Sequence, residues 1–337
     1  MSDSWFSLSR EDQSEALEVA AAITGRAPHL LEKDVWVVWT LSALYGSSMA
    51  EQLTFKGGTS LSKVYKLIDR FSEDIDLTYD IRQVVPELLK SGNPIPASPS
   101  QAKKITDAVR DRLPEWIKNT VQPVLAAAIQ RDRLDVNLSV AGQEKEKLIL
   151  TYRPIRVGTG YASSTIQLEF GGRATGEPHH RHTVACDMAP AIAEIRFPTA
   201  SPWVMAAERT FWEKATAAHV FSQQGRLRGE RFSRHWYDLA AMARSGHAQI
   251  AIKDRPLACA VAEHKAMFFA EKDDNKCLIN YQAAVGGCIQ LVPQGDALAS
   301  LRQDYLAMLA DGLLALNAPA FEEIIEICMG LQKEINA

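Results

Sequence analysis

Residues 55–79 limit the folds open to this chain more than any other part of its 337 residues. A glycine pair and two hydroxyl residues open what reads as a short helix, because Thr59 or Ser60 suits a helix N-cap. Residues at helical spacing follow: Leu61, Val64, Tyr65 and Ile68. The alternating run Asp-Ile-Asp-Leu-Thr at residues 74–78 then predicts a half-buried strand.

The glycine pair, Gly57 and Gly58, predicts a turn that binds phosphate. Glycine reaches backbone angles closed to other residues and leaves its N–H group accessible. The first N–H groups of the following helix lack internal partners, so a triphosphate can be held there without a basic side chain. The segment is not a P-loop, because no Gly-Lys-Ser/Thr follows at the required spacing.

Two aspartates, Asp74 and Asp76, form the most informative polar pair in the chain. They are two positions apart in the predicted strand, so their side chains leave one face while Ile75 and Leu77 enter a core. Neighbouring carboxylates repel each other unless a cation lies between them. Mg²⁺ joins carboxylates to substrate phosphates, and two such ions about 4 Å apart serve nucleotidyl transfer. The plain alternative is a surface strand with two solvent-facing aspartates.

The overall composition sets the class of protein. The chain is 47% hydrophobic and 23% charged, as in soluble globular proteins, and its net charge of −4 argues against non-specific nucleic-acid binding. Its five cysteines form no Cys-x-x-Cys pair, which indicates reduced thiols and neither zinc nor disulfides. We find no signal peptide and no long apolar run, and therefore expect a cytoplasmic protein without a membrane span.

Periodicity predicts a mixed N-terminal part and a helical C-terminal part. Helices are predicted at residues 9–22, 30–44 and 101–129. Strands are predicted at residues 51–55, 134–140, 148–152 and 165–170, with a polar linker at 91–100 and a polar turn at 171–182. From residue 203 the chain is predominantly helical. A proline-containing run ending at residue 202 marks a boundary near residue 200, which gives domains 1–200 and 201–337.

Three further charged residues are candidates for the same site. Glu169 lies in a predicted strand and is the best-placed third carboxylate, although an outward-facing strand residue is an equal alternative. Lys214 follows the i, i+4 pair Arg209 and Glu213 on a helix. Lys214 is either solvated or partly buried, where it would neutralise triphosphate charge. Asp238 either pairs with an arginine or orients Lys214.

The densest basic stretch precedes residue 239 and also carries aromatic side chains. It contains Arg226, Arg228, Arg231, Phe232, Arg234, His235, Trp236 and Tyr237. Arginine and aromatics together suit single-stranded nucleic acid or a phosphate-rich substrate, with Arg231, Arg234 and His235 as candidate nucleic-acid contacts. A solvated loop before a helix explains the composition almost as well. Histidines at residues 179–182 lack the i, i+4 spacing of a helical zinc site, so a flexible loop near the site is the preferred interpretation.

Four segments resemble the motifs of a known family. Residues 55–63, 70–77, 208–214 and 234–239 are similar to the four motifs of the AbiEii/AbiGii nucleotidyltransferase-like toxins. These toxins belong to the DNA polymerase β-like nucleotidyltransferase superfamily and include the mycobacterial MenT toxins. Residues 32–36 also resemble the family's N-terminal region, and the first two motifs are the specific ones.

The resemblance implies a fold and a set of site residues. The fold is α+β, with a mixed-sheet nucleotidyltransferase core flanked by helices, a helical C-terminal lobe and a cleft between them. Asp74 and Asp76 would hold Mg²⁺ or Mn²⁺, Lys214 would meet the nucleotide phosphates, and Asp238 would complete the catalytic site. The implied nucleotide-binding residues are Gly57, Gly58, Thr59, Ser60, Lys63 and Lys214. Glu169, as a third catalytic and metal-binding carboxylate, rests on strand context instead.

The resemblance also implies a function. Family members act as toxins of bacterial toxin–antitoxin or phage-defence systems, beside a separately encoded antitoxin, and some add nucleotides to the 3′ end of tRNA. We therefore expect metal-dependent transfer of a nucleoside monophosphate from an NTP to an acceptor, with tRNA as the first candidate. One alternative is transfer to a protein or small molecule. Another is a non-catalytic protein that binds an NTP or a partner.

Overall fold

The computed structural model describes residues 3–70, 72, 74–143, 145–157, 163–225, 231–310, 313–314 and 317–337. Its strands are β1 (Asp3–Ser4), β2 (Leu53–Lys56), β3 (Ile75–Tyr79), β4 (Val136–Ala141), β5 (Lys147–Tyr152), β6 (Thr165–Gly171), β7 (His179–Arg181), β8 (Val184–Ala185), β9 (Ile195–Arg196), β10 (Thr199–Ala200) and β11 (Trp203–Met205). Its helices are α1 (Arg10–Thr24), α2 (Pro28–Tyr45), α3 (Gly57–Lys63), α4 (Ile81–Val84), α5 (Pro99–Trp116), α6 (Gln122–Asp132), α7 (Ala207–Gln224), α8 (Arg234–Arg244), α9 (His247–Lys253), α10 (Arg255–Phe268), α11 (Tyr281–Ala283), α12 (Gly295–Ala310) and α13 (Phe321–Asn336).

The chain divides into two compact units, and the segments that form them alternate along the sequence. The first unit is formed by Met1–Val64, Ser72–Pro86 and Asp107–Val204. The second is formed by Tyr65–Phe71, Glu87–Thr106 and Met205–Ala337. The prediction of an α+β chain, with a mixed sheet flanked by helices and a helical C-terminal part, is confirmed.

A seven-stranded mixed sheet is the framework of the first unit. Its order is β4-β5-β6-β3-β2-β11-β7. The central pair β2–β3 is antiparallel, whereas β3–β6 and β2–β11 are parallel. Inward-facing residues of the central strands, Phe55, Ile75 and Leu77, have no exposed surface. The alternation that predicts β3 therefore corresponds to a strand with one face in the core.

Helix α2 packs on this sheet, and its sequence explains why. Proline at its first position suits a helix start, and Trp36 and Trp39 are almost fully buried, as predicted. Trp36 stacks on Tyr152 of β5 with ring centroids 5.1 Å apart. The first turns also bury charge: the Glu32 carboxylate accepts the backbone N–H of Ile155 at 2.8 Å. Burial nevertheless raises the pKa of Glu32.

The second unit is built mainly from helices α7 to α13. Its largest buried side chains are Trp212 of α7 and Trp236 of α8. The Trp212 indole donates to the carbonyl of Ala251 at 2.9 Å, and the Trp236 indole donates to Leu291 at 2.6 Å. Each ring therefore buries a large apolar surface without leaving its N–H unpaired.

The structure corrects several predicted elements. Helix α3 ends at Lys63, so the residues at helical spacing beyond it do not extend the helix. A strand, β7, occupies part of the predicted polar turn, and β11 precedes the first C-terminal helix. The predicted helix at 101–129 is α5 and α6 joined by a π-helical turn, Ile117–Val121. Short edge strands depend on pairing with distant residues, which the local pattern does not encode.

The last features of the fold concern the cysteines and the apolar content of the helices. All five cysteines are free thiols. Among the helices that the structure describes, none combines the length and the apolar composition that crossing a membrane requires.

Candidate active site

The glycine turn lies directly against the second aspartate of the predicted pair. Lys56, the last residue of β2, is in antiparallel register with Asp76, and α3 begins at the next residue, Gly57. Gly57 has a φ of +81°, and a Cβ built there would lie 2.1 Å from Asp76 Oδ2. Only glycine therefore permits both this backbone conformation and this approach.

Thr59 and Ser60 lie inside α3, and the expectation that one of them is the N-cap is wrong. The N-cap is Lys56, and its side chain makes no capping bond. The Thr59 hydroxyl donates to the backbone oxygen of Asp74 at 2.5 Å, and the Ser60 hydroxyl donates to the carbonyl of Gly57 at 2.9 Å. Both side chains are buried. The Thr59 hydroxyl therefore holds the turn against the residue before β3, and the Ser60 hydroxyl closes the turn on itself.

The carboxylates of β3 and β6 lie side by side. The strand β3 begins one residue later than predicted, so Asp74 immediately precedes it and Asp76 lies within it. Asp76 is in parallel register with Glu169, which is in antiparallel register with Lys147 of β5. Residues opposite one another on neighbouring strands share a face of the sheet. Glu169 therefore lies next to Asp76 on the same face.

A lysine partly balances this row of negative charge. Lys147 Nζ lies 2.9 Å from Glu169 Oε2, and the Glu169 side chain is 46% exposed. Burial acts to lower the pKa of Lys147, but the carboxylates of Glu169, Glu146 and Asp74 outweigh it and raise that pKa. The lysine therefore stays protonated beside the carboxylates.

The aspartate pair has the ligand chemistry of a divalent cation site. Within the described part of the chain, no three His, Cys, Asp or Glu side chains are close enough to hold an ion by themselves. Asp74 and Asp76 nevertheless offer carboxylate oxygens, the ligands that Mg²⁺ prefers, and substrate phosphates commonly supply others. The Asp76 carboxylate fills the position that a Cβ of residue 57 would occupy, so it lies directly against the backbone of the glycine turn. The residues fit an ion that is bound together with a phosphate substrate.

Lys63 is engaged in a buried ion cluster of the first unit. Its Nζ lies 2.5 Å from Asp34 Oδ1 and 2.9 Å from Asp187 Oδ1, and its side chain is 6% exposed. The Asp187 N–H donates to Asp34 Oδ2 at 2.7 Å, and Arg26 pairs with Asp187 at 2.7 Å. Burial acts to lower the pKa of Lys63, but the two carboxylates raise it. A phosphate at this lysine would have to replace one of them.

A second charged cluster lies within the second unit and centres on Asp238. This aspartate has no exposed surface, and Arg70 donates to both of its oxygens, Nε to Oδ1 at 2.7 Å and Nη2 to Oδ2 at 2.8 Å. Lys214 Nζ lies 2.8 Å from the same Oδ2. Asp238 thus pairs with an arginine and orients Lys214 at once, so the two proposed roles coexist.

The pKa shifts in this cluster follow from one anion facing two cations. Burial alone would raise the pKa of Asp238, but Arg70 and Lys214 hold it well below its usual value. Burial lowers the pKa of Lys214. The charge of Asp238 raises this pKa, but only in part, because the positive charge of Arg70 acts against it. Two basic side chains therefore share one buried carboxylate in this cluster.

A family comparison matches most of the chain. The model of the nucleotidyl transferase AbiEii toxin family, described as a type IV toxin–antitoxin system, matches residues 39–327. The chain belongs to this family. The resemblance seen in the four motifs is confirmed, and this AbiEii protein is a nucleotidyltransferase toxin of a type IV toxin–antitoxin system. Membership implies an antitoxin partner and an NTP substrate.

Among solved structures, the chain is similar to the nucleotidyltransferase toxin MenT4 from Mycobacterium tuberculosis H37Rv. The two are 15% identical with a TM-score of 0.49, over 98% of this chain and 89% of the MenT4 chain. Among curated proteins, none matches the chain.

Sequence reasoning on this AbiEii chain missed the role of Arg70. Residue 70 opens the second motif, which was a signal, but nothing local shows that its partner lies 168 residues further on. Sequence reasoning likewise missed Lys147, because its register with Glu169 depends on the pairing of β5 with β6.

The basic stretch of the AbiEii chain is only partly described. Arg226 and Arg228 lie outside the described residues. Arg234 is exposed, and the Arg231 N–H donates to Asp304 Oδ1 at 2.5 Å. The Nδ1 atom of His235 is buried without a hydrogen-bond partner. Burial, followed by the charge of Lys214, lowers the pKa of His235 well below its usual value, so the ring is neutral near pH 7.

The histidine-rich segment is an ordered edge strand, and the expectation of a flexible loop there is wrong. His179 Nδ1 and the Thr54 hydroxyl are 2.7 Å apart, and the imidazole stacks on Trp203 with centroids 4.7 Å apart. Arg181 lies over the same tryptophan ring at 4.9 Å and pairs with Glu51. These contacts hold β7 at the edge of the sheet.

Adding one methyl group at Gly57 should damage both the fold and the site. Gly57→Ala meets the Asp76 carboxylate, whereas Gly25→Ala, at a φ of +70°, meets no atom within 4 Å. Both variants carry the backbone strain, so their difference isolates the clash. We expect Gly57→Ala to be less stable than Gly25→Ala by about 1–3 kcal/mol in urea unfolding. Equal stabilities would contradict the close approach of Gly57 to Asp76.

Proposed function

We propose that this AbiEii toxin is a Mg²⁺- or Mn²⁺-dependent enzyme that transfers a nucleoside monophosphate from an NTP to the 3′ end of an RNA, with tRNA as the first acceptor. The observation that carries the proposal is the packing of Gly57 against Asp76. It brings a turn whose backbone N–H groups suit phosphate against a carboxylate that suits a divalent cation. The protein would act in the cytoplasm, and a role in phage defence belongs to the same proposal.

The metal site would be formed by the carboxylates of the sheet. Asp74 and Asp76 would hold the divalent cation, and Glu169, in register with Asp76, would be the third carboxylate. Bound there, the ion would neutralise charge on the substrate phosphates. Lys147 would keep Glu169 in place through its 2.9 Å ion pair.

The transfer is an in-line displacement at the α-phosphorus. The acceptor hydroxyl gives up its proton to solvent and forms a new oxygen–phosphorus bond, the bond from the α-phosphorus to the bridging oxygen breaks, and pyrophosphate leaves with that electron pair. Backbone N–H groups at Gly57 and Gly58 would bind the leaving phosphates. The buried hydroxyls of Thr59 and Ser60 would keep that turn in shape.

The cluster of the second unit would bind phosphate charge. The two basic side chains that share one carboxylate support Lys214 as a phosphate contact, with Asp238 and Arg70 as the residues that position it. Lys63, held by two carboxylates, would position α3 and contact phosphate only by exchanging one of them. Arg231, Arg234 and His235 would contact the RNA, His235 as a neutral ring.

Labelling of cellular RNA tests the proposed transfer. The purified protein is incubated with Mg²⁺, each α-labelled NTP in turn and total RNA, beside the Asp74→Ala/Asp76→Ala variant and a sample with EDTA. We expect label in a tRNA-sized band with the unaltered protein alone, which would also identify the nucleotide. Label on protein or a small molecule would replace the RNA acceptor, and absence of label with every acceptor would favour a non-catalytic binding protein.

A further inference from the structure

A cavity in the first unit joins an apolar floor to a basic rim. Its volume is about 490 Å³, and it lies among the N-terminal segment, α2, the end of α6 and the loop after β9. Phe6, Trp39 and Phe197 line its floor, with Phe6 partly exposed and Trp39 and Phe197 3% and 8% exposed. None of its lining residues belongs to the proposed transfer site. The volume falls within the range of pockets that hold small organic ligands.

The rim of this cavity carries uncompensated positive charge. Arg131, Arg133 and Arg196 line it, and Asp132 is the one carboxylate among its lining residues. Arg131 Nε donates to Asp132 Oδ1 at 2.7 Å, and the Trp39 indole donates to Oδ2 at 2.9 Å. The hydrogen bond from Arg131 lowers the pKa of Asp132, which therefore stays ionised and paired. Its charge is balanced by Arg131 alone.

Two arginines remain for a ligand. Arg133 and Arg196 are both exposed, and neither side chain has an ion pair or hydrogen bond within the described ranges. Arg133 caps α6 in the left-handed conformation, at a φ of +53°. Glycine or asparagine usually occupies such a cap, so the chain keeps an arginine there despite the strain.

We propose that this cavity binds a nucleotide unit, with its phosphate on Arg133 and Arg196 and its base against the aromatic floor. Guanidinium groups bind phosphate through paired charge-assisted hydrogen bonds, and aromatic surface accepts any base. The unit can be a free nucleotide or one nucleotide of an RNA strand, which present the same chemistry. The proposal goes beyond the transfer reaction, because it gives the protein a second nucleotide-binding surface.

Two double variants test the site. Arg133→Ser/Arg196→Ser removes both rim charges, and Lys118→Ser/Arg153→Ser removes two exposed positive charges outside the cavity. Binding of each nucleoside 5′-monophosphate, and separately of a six-nucleotide single-stranded RNA, is measured by calorimetry in EDTA, so that no transfer occurs. Circular dichroism confirms that both variants fold.

We expect the arginine variant to bind at least about 10-fold more weakly than the control variant. Weaker binding of monophosphates and RNA alike identifies free nucleotides as ligands, and weaker binding of RNA alone identifies a nucleotide within a strand. Equal affinities of the two variants, or no binding by the unaltered protein, would overturn the proposal. Since binding is measured without turnover, failure of the RNA-labelling assay would leave this result standing.

Discussion

Asp76→Asn should reduce nucleotidyl transfer by at least about 10³-fold while the protein stays folded. Asparagine keeps nearly the same shape, so the contact with Gly57 is preserved. It removes the negative charge that would bind the divalent cation, and the charge that develops at the α-phosphate then lacks its main compensation. Initial rates at saturating NTP and RNA measure the effect, and thermal unfolding checks the fold.

Asp135→Asn is the matched control for this variant. Asp135 is an exposed aspartate of the same unit, so its replacement makes the same change in net charge away from the sheet carboxylates. Its transfer rate should stay within about twofold of the unaltered rate, as expected for a surface change. An Asp76→Asn protein with full activity would show that the site is placed wrongly.

Asp238→Ala should lower the free energy of unfolding by about 3–5 kcal/mol. Asp238 has no exposed surface and is the shared partner of Arg70 and Lys214. Without it, two buried cations lose the carboxylate that they share and the hydrogen bonds they donate to it. Urea unfolding followed by circular dichroism measures the change, and Asp238→Asn, which keeps one oxygen acceptor, should have a smaller effect.

Glu323→Ala is the control for an ion pair that water screens. Glu323 lies 3.6 Å from Arg244, and the two side chains are about half exposed, 51% and 56%. Breaking that pair should cost no more than about 1 kcal/mol. If Asp238→Ala were equally mild, the Arg70–Asp238–Lys214 cluster would not be the stabilising element that its geometry indicates.

Local sequence patterns predicted the helices and strands whose structure is determined by their own residues. Ser9 caps α1, predicted at residues 9–22, by accepting the N–H of Asp12, and the alternation of β3 places Ile75 and Leu77 in the core. The four motifs identified the family because they keep their order and spacing. The glycine turn and the aspartates were predictable as neighbours, since few residues separate them along the chain.

Local sequence patterns did not predict ion pairs and strand pairs between residues that are far apart in the sequence. Asp187 lies 124 residues from Lys63, and the sequence offered no reason to pair them, so Lys63 was expected to bind phosphate directly. The edge strand β7 lacks apolar alternation and exists because Thr54 and Trp203 hold His179. The motifs predicted the chemical types of the side chains at the candidate site. Which residues position those side chains depends on strand register and helix packing.

Because the segments of the two units alternate along the sequence, the protein cannot be cut into its two units at a single position. A fragment that begins at residue 205 would carry Lys214 and Asp238 but not Arg70, which reaches its unit through the segment Tyr65–Phe71. Such a fragment would bury an aspartate that has lost its bidentate partner. Exchanging the C-terminal region with that of a relative would therefore require moving the segment Tyr65–Phe71 as well.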